Sequence, residues 1–239
     1  VHALKANQEQ FEIKVCVTSQ HRQMLDQVLK IFEIKPDIDL NLMKKNQNLS
    51  NLTSLILNEM QSVLTQYQPD IVLVHGDTTS ALAASMAAFY ASIPVGHVEA
   101  GLRTYNLKAP FPEEFNRQMI SRITKWHFAP TNLSKENLLS EHVDKSLIIV
   151  TGNTVIDALN WVLKRIEKDK DRQKKLENFL NSNLSFNWKN ENFVLVTAHR
   201  RENFGDGFIR ICSALKELAL KYPKVPFVYP VHLNPNVIK

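Results

Sequence analysis

The chain has 239 residues, of which 44% are apolar, so it can bury the core of one large domain or of two modest ones. Its net charge of +5 forms no dense basic stripe, which argues against nucleic-acid binding and suits an anionic small molecule. No apolar run is long enough to cross a membrane, and two isolated cysteines, Cys16 and Cys212, predict thiols in a reducing cytoplasm.

Apolar periodicity predicts a regular alternation of strands and helices. The first residues indicate the end of a helix, and Ser50 or Asn51 is the expected N-cap of the second long helix. In chain order we predict strand 11–18, helices 20–32 and 50–67, strand 70–75, helix 78–90, strand 93–98, a helix beginning at Pro112, strand 125–129, helix 133–139, strand 147–150, helix 152–162, strand 193–197, helix 208–220 and strand 225–229.

This alternation predicts an α/β protein with doubly wound parallel sheets. The pattern fades in a charged stretch at 164–175 and an Asn-rich segment at 181–192. We therefore expect a first Rossmann-like domain at 1–152, connecting helices or a hinge at 153–190, and the start of a second such domain at 191–239.

Polar side chains follow two neighbouring strands of the predicted sheet. His75 and Asp77 end one strand, and His97 and Glu99 end the next. Ligands of open α/β sheets bind at this edge. Three interpretations stay open from the residues alone: a metal site, acid–base catalysis by the carboxylates, and, for Asp77, a cap of the following helix.

Two further segments carry charge at predicted helix starts. Glu113 and Arg117 are four residues apart, so they predict either a surface ion pair or a carboxylate that its own guanidinium holds at the cleft. His199, Arg200 and Arg201 follow a strand, where arginine forks and a helix N-terminus favour a diphosphate. The sequence lacks the P-loop and dinucleotide-binding fingerprints.

Seven motifs together resemble the non-hydrolysing UDP-N-acetylglucosamine 2-epimerases of bacteria. They occur in the family's order and extend over nearly the whole chain: Thr-Ser-Gln-His-Arg at 18–22, His-Gly-Asp-Thr-Thr at 75–79, Gly-His-Val-Glu-Ala-Gly-Leu-Arg-Thr at 96–104, Pro-Glu-Glu-Phe-Asn-Arg at 112–117, Thr-Gly-Asn-Thr at 151–154, Thr-Ala-His-Arg-Arg-Glu-Asn at 197–203 and Tyr-Pro-Val-His-Leu-Asn-Pro at 229–235.

The resemblance implies a GT-B-like fold with two Rossmann-like domains, the second incomplete here, and the substrate between them. It implies interconversion of UDP-GlcNAc and UDP-ManNAc by elimination and re-addition of UDP, without metal or cofactor, in a cytoplasmic homodimer that supplies ManNAc for surface polysaccharide. By likeness, the catalytic carboxylates are Asp77, Glu99 and Glu113, and the substrate-binding residues are Arg117, His199 and Arg103.

The family also has an activating UDP-GlcNAc site, which is matched by Gln20, Gln23, Arg200 and His232. An arginine of that family appears here as Leu55, which cannot supply the positive charge that substrate activation uses in the family. The family's first strand with its Gly-Thr-Arg-Pro-Glu loop and its later Asp-Ser-Gly-Gly loop have no match, so we expect the 239-residue chain alone to be inactive or nearly so. The alternatives are a hydrolysing epimerase, an epimerase for another UDP-2-acetamido sugar, and a non-catalytic nucleotide-sugar-binding protein.

Overall fold

A computed structural model describes residues 1–19, 22–42, 47–197 and 206–230, with the backbone alone for 22–24. Two compact units are present, Val1–Val162 and Leu163–Lys239. The elements in chain order are α1 His2–Lys5, β1 Cys16–Val17, α2 Arg22–Ile31, β2 Ile38–Asp39, α3 Leu49–Tyr67, β3 Val72–His75, α4 Thr79–Tyr90, β4 Val95–Val98, α5 Glu113–Ile123, β5 Trp126–Ala129, α6 Asn132–Ser140, a 3₁₀ turn at Lys145–Leu147, β6 Ile148–Val150, α7 Thr154–Lys168, α8 Lys170–Asn183, β7 Val194–Leu195, α9 Asp206–Lys221 and β8 Phe227–Val228.

The first unit is organised around a four-stranded parallel sheet in the order β3-β4-β5-β6. A separate parallel pair joins β1 to β2. Apolar residues at helical spacing on α3 face the small side chains of α4, whose alanines let the helix pack closely. The buried core of this layer includes Leu52, Ile56, Met60, Leu64, Ala83, Ala88 and Val95.

The second unit contains α8, α9 and the parallel pair β7-β8, in which Val194 lies opposite Phe227. All described strand pairs are parallel, which confirms the predicted α/β class. The division of the chain at 152 and 190 stays a prediction. None of the helices in the described ranges has the length and apolarity needed to span a membrane.

Local signals explain where the predicted elements were wrong. Asn48, not Ser50 or Asn51, caps α3, because its side chain accepts the Asn51 amide. The helix predicted to end at 162 continues to Lys168, since Leu163 and Ile166 extend its apolar spacing. The two-residue strand β2 was not predicted, since two residues carry no period.

Candidate active site

The candidate site lies at the carboxyl ends of β3 and β4. These neighbouring strands are parallel, with His75 opposite Val98, and the Gly76 amide donates to the Val98 carbonyl at 3.0 Å. Asp77 follows β3 by two residues and Glu99 follows β4 directly. The turns that carry the two carboxylates therefore share one edge of the sheet.

Asp77 is held by α5. Arg117 donates from Nε at 2.9 Å and from Nη2 at 2.7 Å to the same oxygen, Oδ2. The side-chain amide of Asn116 donates from Nδ2 to the Asp77 carbonyl at 2.7 Å. Oδ1 has no partner among the described residues, and the side chain is 24% exposed. One carboxylate oxygen is thus fixed while the other stays available to a ligand.

The interpretation of Asp77 as a helix cap is wrong. Thr78 is the N-cap of α4, and its Oγ1 accepts the Ala81 amide at 3.2 Å. The carboxylate of Asp77 is therefore not used by the helix.

Glu99 occupies an uncommon backbone conformation, with φ at +70°. Its Oε2 lies 3.8 Å from Nε2 of His75, and a Cβ added to Gly76 would come within 3.4 Å of the same oxygen. The Glu99 side chain is 23% exposed. Left-handed turns at non-glycine residues cluster at functional sites, which fits a carboxylate directed along the sheet edge.

Glu113 is the first residue of α5 and is half-buried. It makes no hydrogen bond or ion pair with any described residue, so the predicted Glu113–Arg117 pair is wrong. Arg117 turns to Asp77 and Glu114 instead. Because Glu113 precedes Asn116 and Arg117 by three and four residues, it shares the face of α5 that contacts the Asp77 turn.

Arg103 lies inside the protein, with its side chain fully buried. Nε and Nη2 donate to the two carboxylate oxygens of Glu141 at 2.6 and 2.9 Å, and Nη2 also donates to Ser121. Nη1 donates to the Leu102 carbonyl. This position supports a structural role and does not support the predicted contact with substrate.

The sequence indicated His97 only as one of two imidazoles at the sheet edge, and it carried no signal for His127. Both are buried, on β4 and β5, directly opposite each other. Burial lowers the pKa of His97 to about 4 and that of His127 to about 4. The His97 Nε2 lies 2.8 Å from the Gly76 carbonyl, so a neutral His97 donates there and fixes the turn before Asp77.

Glu114 had no assigned role in the sequence and is completely buried. Burial raises the pKa of its carboxyl, but hydrogen bonds from Gln118, from the backbone amides of Thr104 and Tyr105 and from Arg117 outweigh that effect and hold the pKa below its usual range. No group of three or more His, Cys, Asp or Glu within the described residues could hold a metal.

Other predicted residues lie outside what the structure describes. His199 of the predicted diphosphate site is among them, as are Gln20, Arg200 and His232 of the activating site and the side chain of Gln23.

A family model for UDP-N-acetylglucosamine 2-epimerase matches residues 2–239. The chain belongs to this epimerase family. The resemblance found in the motifs is therefore confirmed. Among curated epimerases, the chain is 55% identical to the UDP-N-acetylglucosamine 2-epimerase of Yersinia pestis, over 99% of this chain and 62% of the relative. It is 53% identical to that of Campylobacter jejuni, over 98% of this chain and 61% of the relative.

Solved epimerase structures share the fold. The enzyme of Neisseria meningitidis bound to UDP-GlcNAc matches with a TM-score of 0.92 at 52% identity, over 99% of this chain and 62% of that one. The enzyme of Methanocaldococcus jannaschii in complex with UDP-GlcNAc and UDP matches with a TM-score of 0.80 at 31% identity, over 96% and 61%. These likenesses confirm the GT-B-like class, while the chain spans only about three fifths of the epimerases it matches.

Proposed function

We propose that the protein interconverts UDP-GlcNAc and UDP-ManNAc by eliminating UDP and adding it back. The observation that carries the proposal is the meeting of Asp77 and Glu99 at one sheet edge, beside the face of α5 that bears Glu113. Family membership and relatives solved with UDP-GlcNAc support the same substrate.

The reaction needs proton transfer on both faces of C2. One carboxylate removes the C2 proton while the C1–O bond breaks, so that UDP departs with the bonding electrons and a C1–C2 double bond remains. Re-addition returns UDP to C1 and delivers a proton to the opposite face of C2. Because the sequence of steps is redox-neutral, it requires no electron-carrying cofactor.

The described geometry fits this need for more than one proton-transferring group. Asp77 has one oxygen anchored by Arg117 and one without a partner in the described part of the chain, and Glu99 and Asp77 are both about one quarter exposed. Positioned acid–base groups typically contribute about 10²–10⁴-fold to a rate. Arg117, at 15% exposure, keeps a positive charge beside the carboxylates, where the leaving diphosphate gains negative charge.

The proposal also includes the oligomeric state, the binding sites outside the described residues and the cellular location. The motif resemblance supports a homodimer, a diphosphate contact at His199, and an activating site at Gln20, Gln23, Arg200 and His232. Leu55 packs partly buried against the core of α3 and α4, so an apolar residue suits its position here. Unpaired thiols at Cys16 and Cys212 support a cytoplasmic location.

Product analysis tests the proposal. The test protein is a hybrid in which residues 1–239 replace the matching segment of the Yersinia pestis relative, and the 239-residue chain is assayed beside it. We expect NMR to show UDP-ManNAc forming from UDP-GlcNAc in the hybrid. Free ManNAc together with UDP would instead indicate a hydrolysing epimerase, and binding without turnover would indicate a non-catalytic protein.

A matched pair of variants links the activity to the site. Asp77→Asn in the hybrid is expected to lower kcat by about 10²-fold or more, because the amide cannot accept the proton. Asp70→Asn changes an exposed aspartate just before β3 and is expected to leave kcat unchanged. Equal kcat values for the two variants would contradict a catalytic role for Asp77.

A further inference from the structure

Glu114 gathers four donors on one buried carboxylate. Oε2 accepts the Thr104 amide at 3.0 Å and the Arg117 Nη1 at 3.4 Å. Oε1 accepts the Tyr105 amide at 3.0 Å and the Gln118 side-chain amide at 2.9 Å. An acidic residue in the first turn of a helix is ordinary, but this one is fully buried and reaches a loop outside its own helix.

Two of these donors connect Glu114 to the segment that follows Glu99. Thr104 and Tyr105 lie five and six residues after Glu99, and Tyr105 adopts a left-handed backbone with φ at +59°. The adjacent Arg103 is anchored separately by Glu141. The loop from Glu99 to Tyr105 therefore ends at two buried charge-assisted anchors, one of which is Glu114.

The third connection leads to Asp77. The guanidinium of Arg117 lies between two carboxylates, with Nη1 on Glu114 and with Nε and Nη2 on Asp77. Because a planar guanidinium has a fixed fork of donors, fixing one edge restricts the direction in which the others point. Glu114 thus limits where Arg117 can hold Asp77.

From these contacts we infer that Glu114 is a positioning residue that holds the Asp77 and Glu99 segments in one arrangement during turnover. This inference rests on the proposed epimerase function and adds a residue to it. Glu114 does not face a ligand, since its carboxylate is buried and its oxygens are occupied by protein donors.

The test uses Glu114→Gln in the hybrid. Glutamine keeps the shape of the side chain but replaces one oxygen by an NH₂ group, which cannot accept a backbone N–H. We expect kcat to fall by about 10–100-fold, the size of effect that a small misplacement of catalytic groups produces, with KM changed by less than about threefold. The matched control is Glu136→Gln, which alters an exposed glutamate of α6 and is expected to leave both constants unchanged.

A second readout does not depend on activity. The ¹⁵N spectrum reports the Nε–H of Arg117, which donates to Asp77. In Glu114→Gln we expect this resonance to shift and its hydrogen to exchange faster with water, while in Glu136→Gln it stays in place. A folded Glu114→Gln variant with an unchanged kcat or an unchanged Arg117 signal would overturn the inference.

A milder variant keeps the inference testable if Glu114→Gln does not fold. Gln118→Met removes one donor from Glu114 and retains the carboxylate. If Glu114→Gln does not fold, a fall in kcat of about 3–10-fold in Gln118→Met at constant KM supports the inference, and wild-type kinetics overturn it. If the wild-type hybrid has no epimerase activity, the proposed function fails, and the Arg117 signal alone decides whether Glu114 positions Asp77.

Discussion

Arg103 and Arg117 carry the same charge near the same sheet edge, but their partners give them different tasks. Arg103 is fully buried and divides its donors among Glu141, Ser121 and the backbone. Arg117 keeps some exposure and binds Oδ2 of Asp77, whose Oδ1 meets none of the residues that the structure describes. The first arginine stabilises the loop after Glu99, and the second places a carboxylate.

The buried pair gives a stability prediction at the scale of one residue. Glu141→Ala leaves the Arg103 guanidinium buried without its bidentate partner, and the free energy of unfolding is expected to fall by about 3–5 kcal/mol. Glu12→Ala removes one partner of the exposed Lys14–Glu12 pair and is expected to lower the free energy of unfolding much less, because solvent screens an exposed ion pair. Denaturant unfolding of both variants gives the comparison, and equal losses would contradict the role assigned to Arg103.

The sequence predicted positions along the sheet edge better than it predicted partners. Asp77 and Glu99 follow apolar strands, so their shared edge could be deduced from strand order. The partners of the two arginines could not be deduced in this way. Asp77 lies 40 residues from Arg117, and Glu141 lies 38 residues from Arg103, so each pair forms only when the chain packs. The spacing along α5 favoured Glu113 as the partner of Arg117, but Arg117 binds Asp77 through a tertiary contact instead.

At the scale of elements, the turn after β4 packs against α6, where the backbone of Gly101 approaches the backbone of Ser134 closely. Gly101 has φ at +86°, and an added Cβ would overlap the Ser134 carbonyl of α6. The Gly101 carbonyl in turn accepts the Asn137 side-chain amide at 3.0 Å. Glycine is required here both by the backbone conformation and by the approach of a helix.

Two glycine variants separate these requirements. Gly101→Ala is expected to lower the free energy of unfolding by roughly 2–5 kcal/mol, which combines a left-handed backbone with steric overlap. Gly152 has φ at +83°, and no described residue lies within 4 Å of an added Cβ, so Gly152→Ala is expected to lose only about 1–2 kcal/mol for the conformation. Similar losses in calorimetry would contradict the close packing of Gly101 on α6.

The order and type of most elements were predictable, and their ends were less so. Apolar periodicity located the alternation of strands and helices, because a periodic pattern extends over many residues and does not depend on any single one. Capping was misjudged at α3 and α4 because several adjacent side chains, among them Ser50, Asn51 and Asp77, offer the same chemistry as Asn48 and Thr78. Only the backbone conformation selects one of them.

At the scale of the whole molecule, two buried imidazoles link folding to pH. Burial lowers the pKa of both His97 and His127 from 6.5 to about 4, so the unfolded chain takes up protons between these values that the folded chain does not. Their contribution to stability is complete above about pH 6.5 and is lost as the pH falls towards 4.

Acid unfolding measures this linkage. Between pH 7 and 4 we expect the free energy of unfolding to fall by up to about 3 kcal/mol for each imidazole. His127→Leu is expected to give a shallower dependence of the free energy of unfolding on pH than the wild type, because one of the two imidazoles is then missing. A wild-type slope in His127→Leu would show that this imidazole accepts a proton in the folded state.

The proposed epimerisation depends on Asp77, Glu99 and Glu113 exchanging the proton at C2 of one sugar. The most direct measurement is ¹H NMR of UDP-GlcNAc with the hybrid in D₂O. Elimination and re-addition predict that the UDP-ManNAc formed carries deuterium at C2, because the proton delivered to that carbon comes from a group that exchanges with solvent. UDP-ManNAc that retains its original proton at C2 would contradict the mechanism.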